Sequence, residues 1–537
     1  MITTETSPSQ YSVMSWFVRL FLLLCCTKCS LSWVYERTRG QVWPLPRFVS
    51  YQKTLNYINP VKFTFKVTNN TCPILDEAVK RYTDVIKKML PRNHHQWQGC
   101  PDFSSLQEVL VTLTEPCEDW PNLHMDEHYE VHVNRPDYDN LTIVSSSSVW
   151  GLLRGLESFS QLVTPATDAA GCLVLNSTDI LDYPRFKHRG LLLDTSRHYL
   201  PVPVILNILA AMEMNKMNVF HWHIVDDESF PYQSITYPSL SDKGAYDSKH
   251  LIYTQDNVKN IIEYARLRGI RVIPEFDSPG HTRAWGGGAN KLLTACFTNG
   301  SFNGEFGPVD PSRSQNFKFV RTLLEEVKSV FPDKYIHVGG DEVQFGFQCW
   351  MSNPTVTQFM KDNNITSPEN LEGYYMNQVL DMVYNINASA IVWEEVFKHG
   401  DPLHNDTVIQ IWSSNRTEML KEVTKEGMYA LLSQGWYLDH ISDQWQDFYK
   451  IDPTDFDGTE KQYQLVLGGE ACMWGEMVDE TNIVPRIWPR ASAVAERLWS
   501  QKAVDKTAPA PRLNEHVCRM RRRGVAAQPA NGPGFCP

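Results

Sequence analysis

After the first 32 residues, no segment of this chain is apolar for long enough to cross a bilayer as a helix. Positive charge is also scarce. Its 50 lysines and arginines face 62 aspartates and glutamates, a net charge of -12, which argues against a nucleic-acid partner. The one basic cluster, Arg519-Met-Arg-Arg-Arg523, reads as a local face. Residues 1–15 contain no lysine or arginine, so the apolar run Phe17-Val-Arg-Leu-Phe-Leu-Leu-Leu24 lacks the basic lead of an ordinary secretory signal. A start at Met14 would restore a more usual one. That run is too short to span a membrane, and small and polar residues follow it as far as Ser30-Leu-Ser32. The expectation is a signal peptide over 1–32, with an uncleaved anchor as the alternative.

What is present fits a secreted globular chain. The sequence is 42% hydrophobic and 21% charged, and 537 residues suit two domains or one large barrel with a smaller unit. Loss of the signal would take Cys25, Cys26 and Cys29 and leave nine of the twelve cysteines, an odd number, so at least one thiol has no partner. Asparagines in Asn-x-Ser/Thr sequons recur eight times, at Asn69, Asn140, Asn176, Asn299, Asn364, Asn387, Asn405 and Asn415, and predict a glycoprotein.

Residues 43–182 mix alternating stretches, Val61–Val67 and Tyr129–Val133, with helical patterns over Leu75–Leu90 and Val149–Leu162, which predicts a small α/β domain. It holds no compact group of catalytic residue types. From 183 to 537 the pattern becomes short apolar strand, turn and amphipathic helix. Eight strands are expected: Gly190–Ser196, Val219–Val225, Val272–Phe276, Ile336–Gly339, Ala390–Val396, Val408–Trp412, Ala430–Ser433 and Leu465–Glu470. That number and length predict a (β/α)8 TIM barrel. The strand ends deliver Arg197, Asp226-Asp227, Asp277 with His281, Asp341-Glu342, Trp393-Glu394, Trp412, Trp436-Tyr437 with Asp439, and Trp474 with Glu476. In a barrel those ends converge on one mouth, where active sites are built.

The chemistry follows from the residue types. Tyr335-Ile-His-Val-Gly-Gly-Asp-Glu342 is a buried strand ending in two glycines and two carboxylates. Adjacent carboxylates repel, so one keeps its proton near neutral pH and can act as an acid, while the other stays charged. Trp393, Trp412, Trp474 and Tyr437 make an aromatic box with one hydroxyl, suited to the apolar face of a sugar and to a methyl group. Arg197, Asp439 and Glu476 would hydrogen-bond sugar hydroxyls, and Glu342 would protonate a glycosidic oxygen. His221-Trp-His223 places two imidazoles on one strand face, but the later strands add no histidine at that depth, so neither metal nor cofactor is expected. Those histidines are expected to fill the barrel, with His281 supporting the acid.

Five motifs carry a resemblance: Arg189–Tyr199, Asn218–His223, Glu275–His281, His337–Glu342 and Gly468–Glu476. Over about residues 43–536 the chain resembles the beta-N-acetylhexosaminidases of glycoside hydrolase family 20, including the animal lysosomal hexosaminidase alpha and beta chains. The resemblance implies exo-acting, substrate-assisted retention on oligosaccharide and glycoconjugate substrates, in which the 2-acetamido oxygen attacks the anomeric carbon to form an oxazolinium intermediate. Carried over residue by residue, it makes Glu342 the acid/base and Asp341 the group that orients the acetamido N–H. Tyr437 would hold the acetamido oxygen, and Trp393, Trp412 and Trp474 would wall its methyl group. Arg197, Asp439 and Glu476 would bind hydroxyls, with Asp226 and His281 in support. It also implies disulfides Cys72–Cys117, Cys296–Cys349 and Cys518–Cys536, leaving Cys100, Cys172 and Cys472, of which Cys472 reads as a buried thiol. A homodimer or heterodimer and a lysosomal address, with secretion as the alternative, are implied too. Two other readings stay open: a retaining glycosidase with Glu394 or Glu476 as nucleophile, and a sugar-binding relative without turnover. Asp439, in Tyr437-Leu-Asp-His440, is the beta-type residue of that family and predicts preference for neutral sugars, with His440 able to offset its charge in acid.

Overall fold

The computed structural model describes residues 38–89, 100, 106–134, 141–167, 169, 171–399, 403–502 and 509–536. The expected signal over 1–32 and the sequon residue Asn140 lie outside them.

Alternating burial builds the first sheet. Its strands are β1 (Phe48–Ile58), β2 (Thr64–Asn69), β3 (Glu108–Leu113), β4 (Tyr129–His132), β5 (Ile143–Ser146), the short β6 (Thr164–Pro165) and β7 (Leu173–Asp182), in the order β1-β7-β4-β5-β3-β2 with β6 on β7. In β3 to β5 every second residue is buried, and the apolar face packs on the helices Pro73–Lys87 and Val149–Leu162. The strand expected from Val61 begins at Thr64, because Pro60–Lys62 forms a turn.

The barrel closes in the order β8 (His188–Asp194), β9 (Val219–His223), β10 (Arg271–Glu275), β13 (Tyr335–His337), β14 (Ser389–Trp393), β15 (Val408–Ile411), β16 (Tyr429–Leu432) and β17 (Val466–Met473), which pairs back onto β8. Each of the eight expected strands is there. The fifth stops at Trp393, because a helix takes over at Glu394–Lys398. A hairpin, β11 (Leu293–Thr298) and β12 (Ser301–Val309), is inserted after β10.

Inside, the side chains form three tiers. The floor is apolar: Val219, Ile273, Tyr335, Ile391, Val408, Leu431 and Leu467. The middle tier is polar. Glu470 binds His188 (2.6 Å), His221 (2.8 Å) and Gln410 (3.0 Å), while Glu275 takes His223 (2.6 Å), His337 (3.1 Å) and the Trp393 indole (2.8 Å). Buried charges persist only when paired in this way. The top tier is aromatic, with Leu192 and Cys472 beneath the tryptophans.

Disulfides join Cys72–Cys117, Cys296–Cys349 and Cys518–Cys536, and Cys100, left unassigned from sequence, pairs with Cys172. Cys472 is a buried free thiol. Six sequon asparagines, Asn69, Asn299, Asn364, Asn387, Asn405 and Asn415, are exposed, while Asn176 is half-buried and donates to the Gln52 carbonyl. No described helix is long and apolar enough to cross a membrane.

Candidate active site

The acid pair is delivered by strained backbone. Gly339 and Gly340 both lie at positive φ, 69° and 92°, and a Cβ on Gly339 would overlap the Asp277 carboxyl, while one on Gly340 would overlap Val396. Only glycine fits. Glu342 itself sits at φ 56°, a left-handed conformation rare for such a side chain, which turns it out of the strand line at the mouth. Asp341 is buried, whereas the Glu342 side chain is 39% exposed. Half-burial and the neighbouring Asp341 charge raise the Glu342 pKa, against the opposing pull of His281 and Arg197.

A ladder of alternating imidazoles and carboxylates rises from the middle tier to this pair. Glu275 holds His223, whose other nitrogen meets Asp226 at 2.7 Å; Asp226 in turn meets His281 at 3.1 Å. The far nitrogen of His281 faces Glu342 at 3.6 Å and Asp341 at 3.7 Å. Burial opposes a charge on His281, but Asp341, Asp226 and Asp277 outweigh it and push its pKa up to about 12. It is a cation under the acid. Burial would raise the Asp226 pKa, yet its bonds to His223 and His281 hold it far below the usual carboxylate range.

The four rings close on one another. Trp393 meets Trp412 (6.4 Å between centroids), Trp412 lies nearly parallel to Tyr437 (6.1 Å, 20°), Tyr437 meets Trp474 (6.3 Å), and Trp474 returns to Trp393 (6.0 Å). Indole N–H groups fix the walls: Trp393 donates to Glu275 and Trp412 to Glu395 at 3.0 Å. Tyr437 faces inward because residues 436–438 extend the sheet, Leu438 donating to the Cys472 carbonyl and Cys472 to that of Trp436. Alternation then sends Trp436 outward, where it is fully buried and donates to the Phe448 carbonyl. Its expected place at the mouth is therefore corrected.

The remaining polar groups stand around the box. Arg197 is held by Asp194 (3.0 Å), Asp226 (2.9 Å) and Glu228 (3.1 Å) and lies over the Trp474 ring at 5.2 Å. Glu476 is exposed, and its pKa is raised by partial burial. Asp439 is half-buried, and one of its oxygens, like one of Asp341, has no hydrogen-bond partner among the described residues. Glu394 is different. It is fully buried and saturated by Lys398, Ser413, Ser414 and the Trp412 backbone N–H, which removes it as a nucleophile. Two groups bring three side chains of metal-ligating type within 4.8 Å, His221 with Glu275 and His337, and Asp277 with His281 and Asp341. Both lie within the network just described: Glu275 is engaged by imidazole and indole and one Asp277 oxygen by the Gly340 N–H, while the other Asp277 oxygen and one of Asp341 have no hydrogen-bond partner among the described residues.

Sequence reasoning gave no role to Glu275, Glu470, His337, Asp277 or Glu395. Glu275 and Asp277 stand in the Glu275–His281 motif, but nothing local says that one orders histidines and the other fills the slot under Gly339. Glu395 follows a strand-end tryptophan, and only tertiary contact shows that it holds the next indole.

A (β/α)8 barrel whose mouth joins a raised-pKa carboxylic acid to a closed aromatic box defines a glycoside hydrolase. The catalytic-domain model of glycosyl hydrolase family 20 matches residues 186–502, and a beta-acetyl hexosaminidase-like model matches 42–162. Beta-hexosaminidase subunit beta of Mus musculus is 47% identical over 512 residues, 93% of this chain and 94% of that protein. Subunit alpha of Mus musculus is 45% identical over 517 residues, 92% and 94%. Among solved structures, the Flavobacterium johnsoniae chitobiase aligns with a TM-score of 0.79 at 28% identity, over 90% of this chain and 73% of that one. The chain belongs to glycosyl hydrolase family 20.

Proposed function

We propose that Glu342 is the general acid and then the general base of an exo-acting beta-N-acetylhexosaminidase, and that the substrate's own 2-acetamido oxygen is the nucleophile. The reading rests on one observation: a closed four-ring box beside Asp341 and Glu342, while Glu394 is spent on internal hydrogen bonds. A terminal N-acetylglucosamine or N-acetylgalactosamine enters with its acetamido methyl among Trp393, Trp412 and Trp474. Tyr437 donates to the acetamido oxygen, and the unpartnered Asp341 oxygen accepts the acetamido N–H. As the oxygen attacks the anomeric carbon, Glu342 protonates the glycosidic oxygen and the leaving group departs. Asp341 stabilises the positive charge of the oxazolinium ring. Water, deprotonated by Glu342, then opens that ring with net retention. Arg197, Asp439 and Glu476 bind the sugar hydroxyls.

The exposed sequons support entry to the secretory pathway, with the lysosome as destination and secretion as the alternative, and relatives named as subunits support an assembly of more than one chain, read as a homodimer or heterodimer. An ionised Asp439 beside the sugar's 6-position favours neutral substrates.

Matched aryl glycosides test the reaction. The 2-acetamido compound is turned over, the 2-hydroxyl compound is inert, and a thiazoline mimic of the intermediate binds far more tightly than product. Good turnover of the 2-hydroxyl compound, with covalent labelling of Glu476 by a 2-fluoro glycoside, would replace this mechanism with a two-carboxylate one.

A further inference from the structure

A cavity of about 180 Å³ lies where the first domain meets the last helix of the barrel domain, Pro509–Arg522. Pro165 and Ala166 line it from the first domain, Pro511 and Cys518 from that helix, and Phe535 and Thr38 from the two ends of the described chain. The Cys518–Cys536 disulfide brings Phe535 back to the helix. The walls are mostly apolar, and no residue placed at the barrel mouth lines them. Folded proteins seldom leave an apolar space of that size unfilled.

The start of the described chain is anchored at this cavity. Thr38 Oγ1 donates to Glu515 at 2.8 Å and the Gly40 N–H donates to the same carboxylate at 2.7 Å, which fixes residues 38–40 along the last helix. Gly40 lies at φ 66°, and a Cβ there would press on the Leu162 carbonyl oxygen at 2.9 Å, so the chain crosses closely over the first domain. Immediately before this anchor, outside the described residues, stands Trp33-Val-Tyr-Glu-Arg37, which begins where the expected signal ends. Five extended residues reach about 17 Å, which brings Trp33 and Tyr35 within range of the cavity. In an extended run those two rings project to the same side.

We infer that Trp33-Val-Tyr35 docks in this cavity as a latch, seating its two rings between the first domain and the last helix. Proline, alanine and disulfide surfaces pack well on aromatic rings, and burying those rings is favourable by comparison with leaving them in water. Residues 503–508, which lead into the same helix and also lie outside the described residues, contain no aromatic side chain. The latch touches none of the catalytic groups. It therefore acts on the stability of the joined domains and not on turnover.

The test uses the secreted full-length protein, whose first residue is read by mass spectrometry. Trp33→Ala with Tyr35→Ala is expected to lower Tm by about 2–5 °C and to speed amide exchange over residues 164–167 and 514–518, with turnover of an aryl glycoside unchanged. Trp33→Phe with Tyr35→Phe keeps most of the wild-type Tm and protection. Ala166→Leu, which fills the cavity, should lower Tm in the wild type by displacing the rings and raise it in the double alanine variant, a change of sign that a general loss of stability does not give. A mature chain that begins after Tyr35 would overturn the latch. So would a double alanine variant whose Tm and exchange match the wild type, which would assign the cavity to a second chain or a small apolar ligand. If the double alanine variant is not secreted, Ala166→Leu in the wild type decides: a fall in Tm supports the latch, and a rise overturns it.

Discussion

Two buried charge networks in this molecule use the same groups to opposite ends. At the seam between the first sheet and the barrel, Glu127 receives Arg154 at 2.8 Å and Arg189 at 2.7 Å, while Lys216 meets Asp182 at 3.0 Å and the Tyr129 hydroxyl at 2.8 Å. Every one of these side chains is enclosed. Along the barrel axis, the ladder from Glu470 through His221, Glu275, His223 and Asp226 is enclosed as completely, but it opens at His281, Asp341 and Glu342. The seam network is complete, and so it can only hold. The axial one leaves an Asp341 oxygen without a partner among the described residues and a half-exposed acid at its end. Burial and paired charge therefore do not mark a site; an unsatisfied end that reaches solvent does.

The comparison can be broken from either side. Glu342→Gln is expected to cost about 10²- to 10⁴-fold in kcat on a substrate with a poor leaving group, with binding and thermal stability kept, because glutamine keeps the shape but has no acidic proton to give. Near wild-type turnover of a chitobiose-like substrate would remove Glu342 from the chemistry.

Glu127→Gln is expected to do the reverse. Uncompensated arginines in a closed seam cost about 3–5 kcal/mol of stability, read by denaturant unfolding, while the folded fraction keeps its specific activity. Lost activity with stability unchanged would make the seam part of the site.

His281→Asn sharpens the axial side. The acid works protonated, so activity falls as pH rises through the Glu342 pKa. The His281 cation holds that pKa down against burial and Asp341. Removing it lets the pKa rise, and the alkaline limb of the kcat/KM profile should move up by about one pH unit. Asp226 instead raises the Glu342 pKa, so Asp226→Asn should not move that limb upward; an upward shift there, or a downward one in His281→Asn, would undo the assignment.

The smallest effect concerns Asp439, whose carboxyl pKa is raised by partial burial. Asp439→Asn should raise activity on a 6-sulfated glycoside relative to the neutral one about five-fold, the scale of a screened charge contact. In the wild type that ratio should rise as pH falls and Asp439 takes up its proton. A ratio blind to both changes would separate Asp439 from the 6-position.

The eight strands and the residues at their ends could be read from sequence because both are local. A strand announces itself by a short apolar run, and its side chains alternate between faces, so His221 and His223 were placed inward together and Trp393, Trp412, Trp474 and Tyr437 at one mouth. The same alternation, applied across Trp436 and Tyr437, would have sent Trp436 outward.

Pairings between strands are another matter. That Glu275 orders His223, His337 and Trp393, that Glu395 holds the Trp412 indole, and that Glu394 is consumed by Ser413 and Ser414 depend on how the strands stagger when the barrel closes. The union of Cys100 with Cys172, 72 residues apart, and the lining of one cleft by Phe306 of the inserted hairpin and Phe345 depend on loops returning to one place. By itself the sequence determined which groups reach the mouth, since the periods of strand and helix are properties of the local backbone. Which groups are spent and which remain free was decided only by the closed barrel, because hydrogen bonds between distant strands have no local pattern to reveal them.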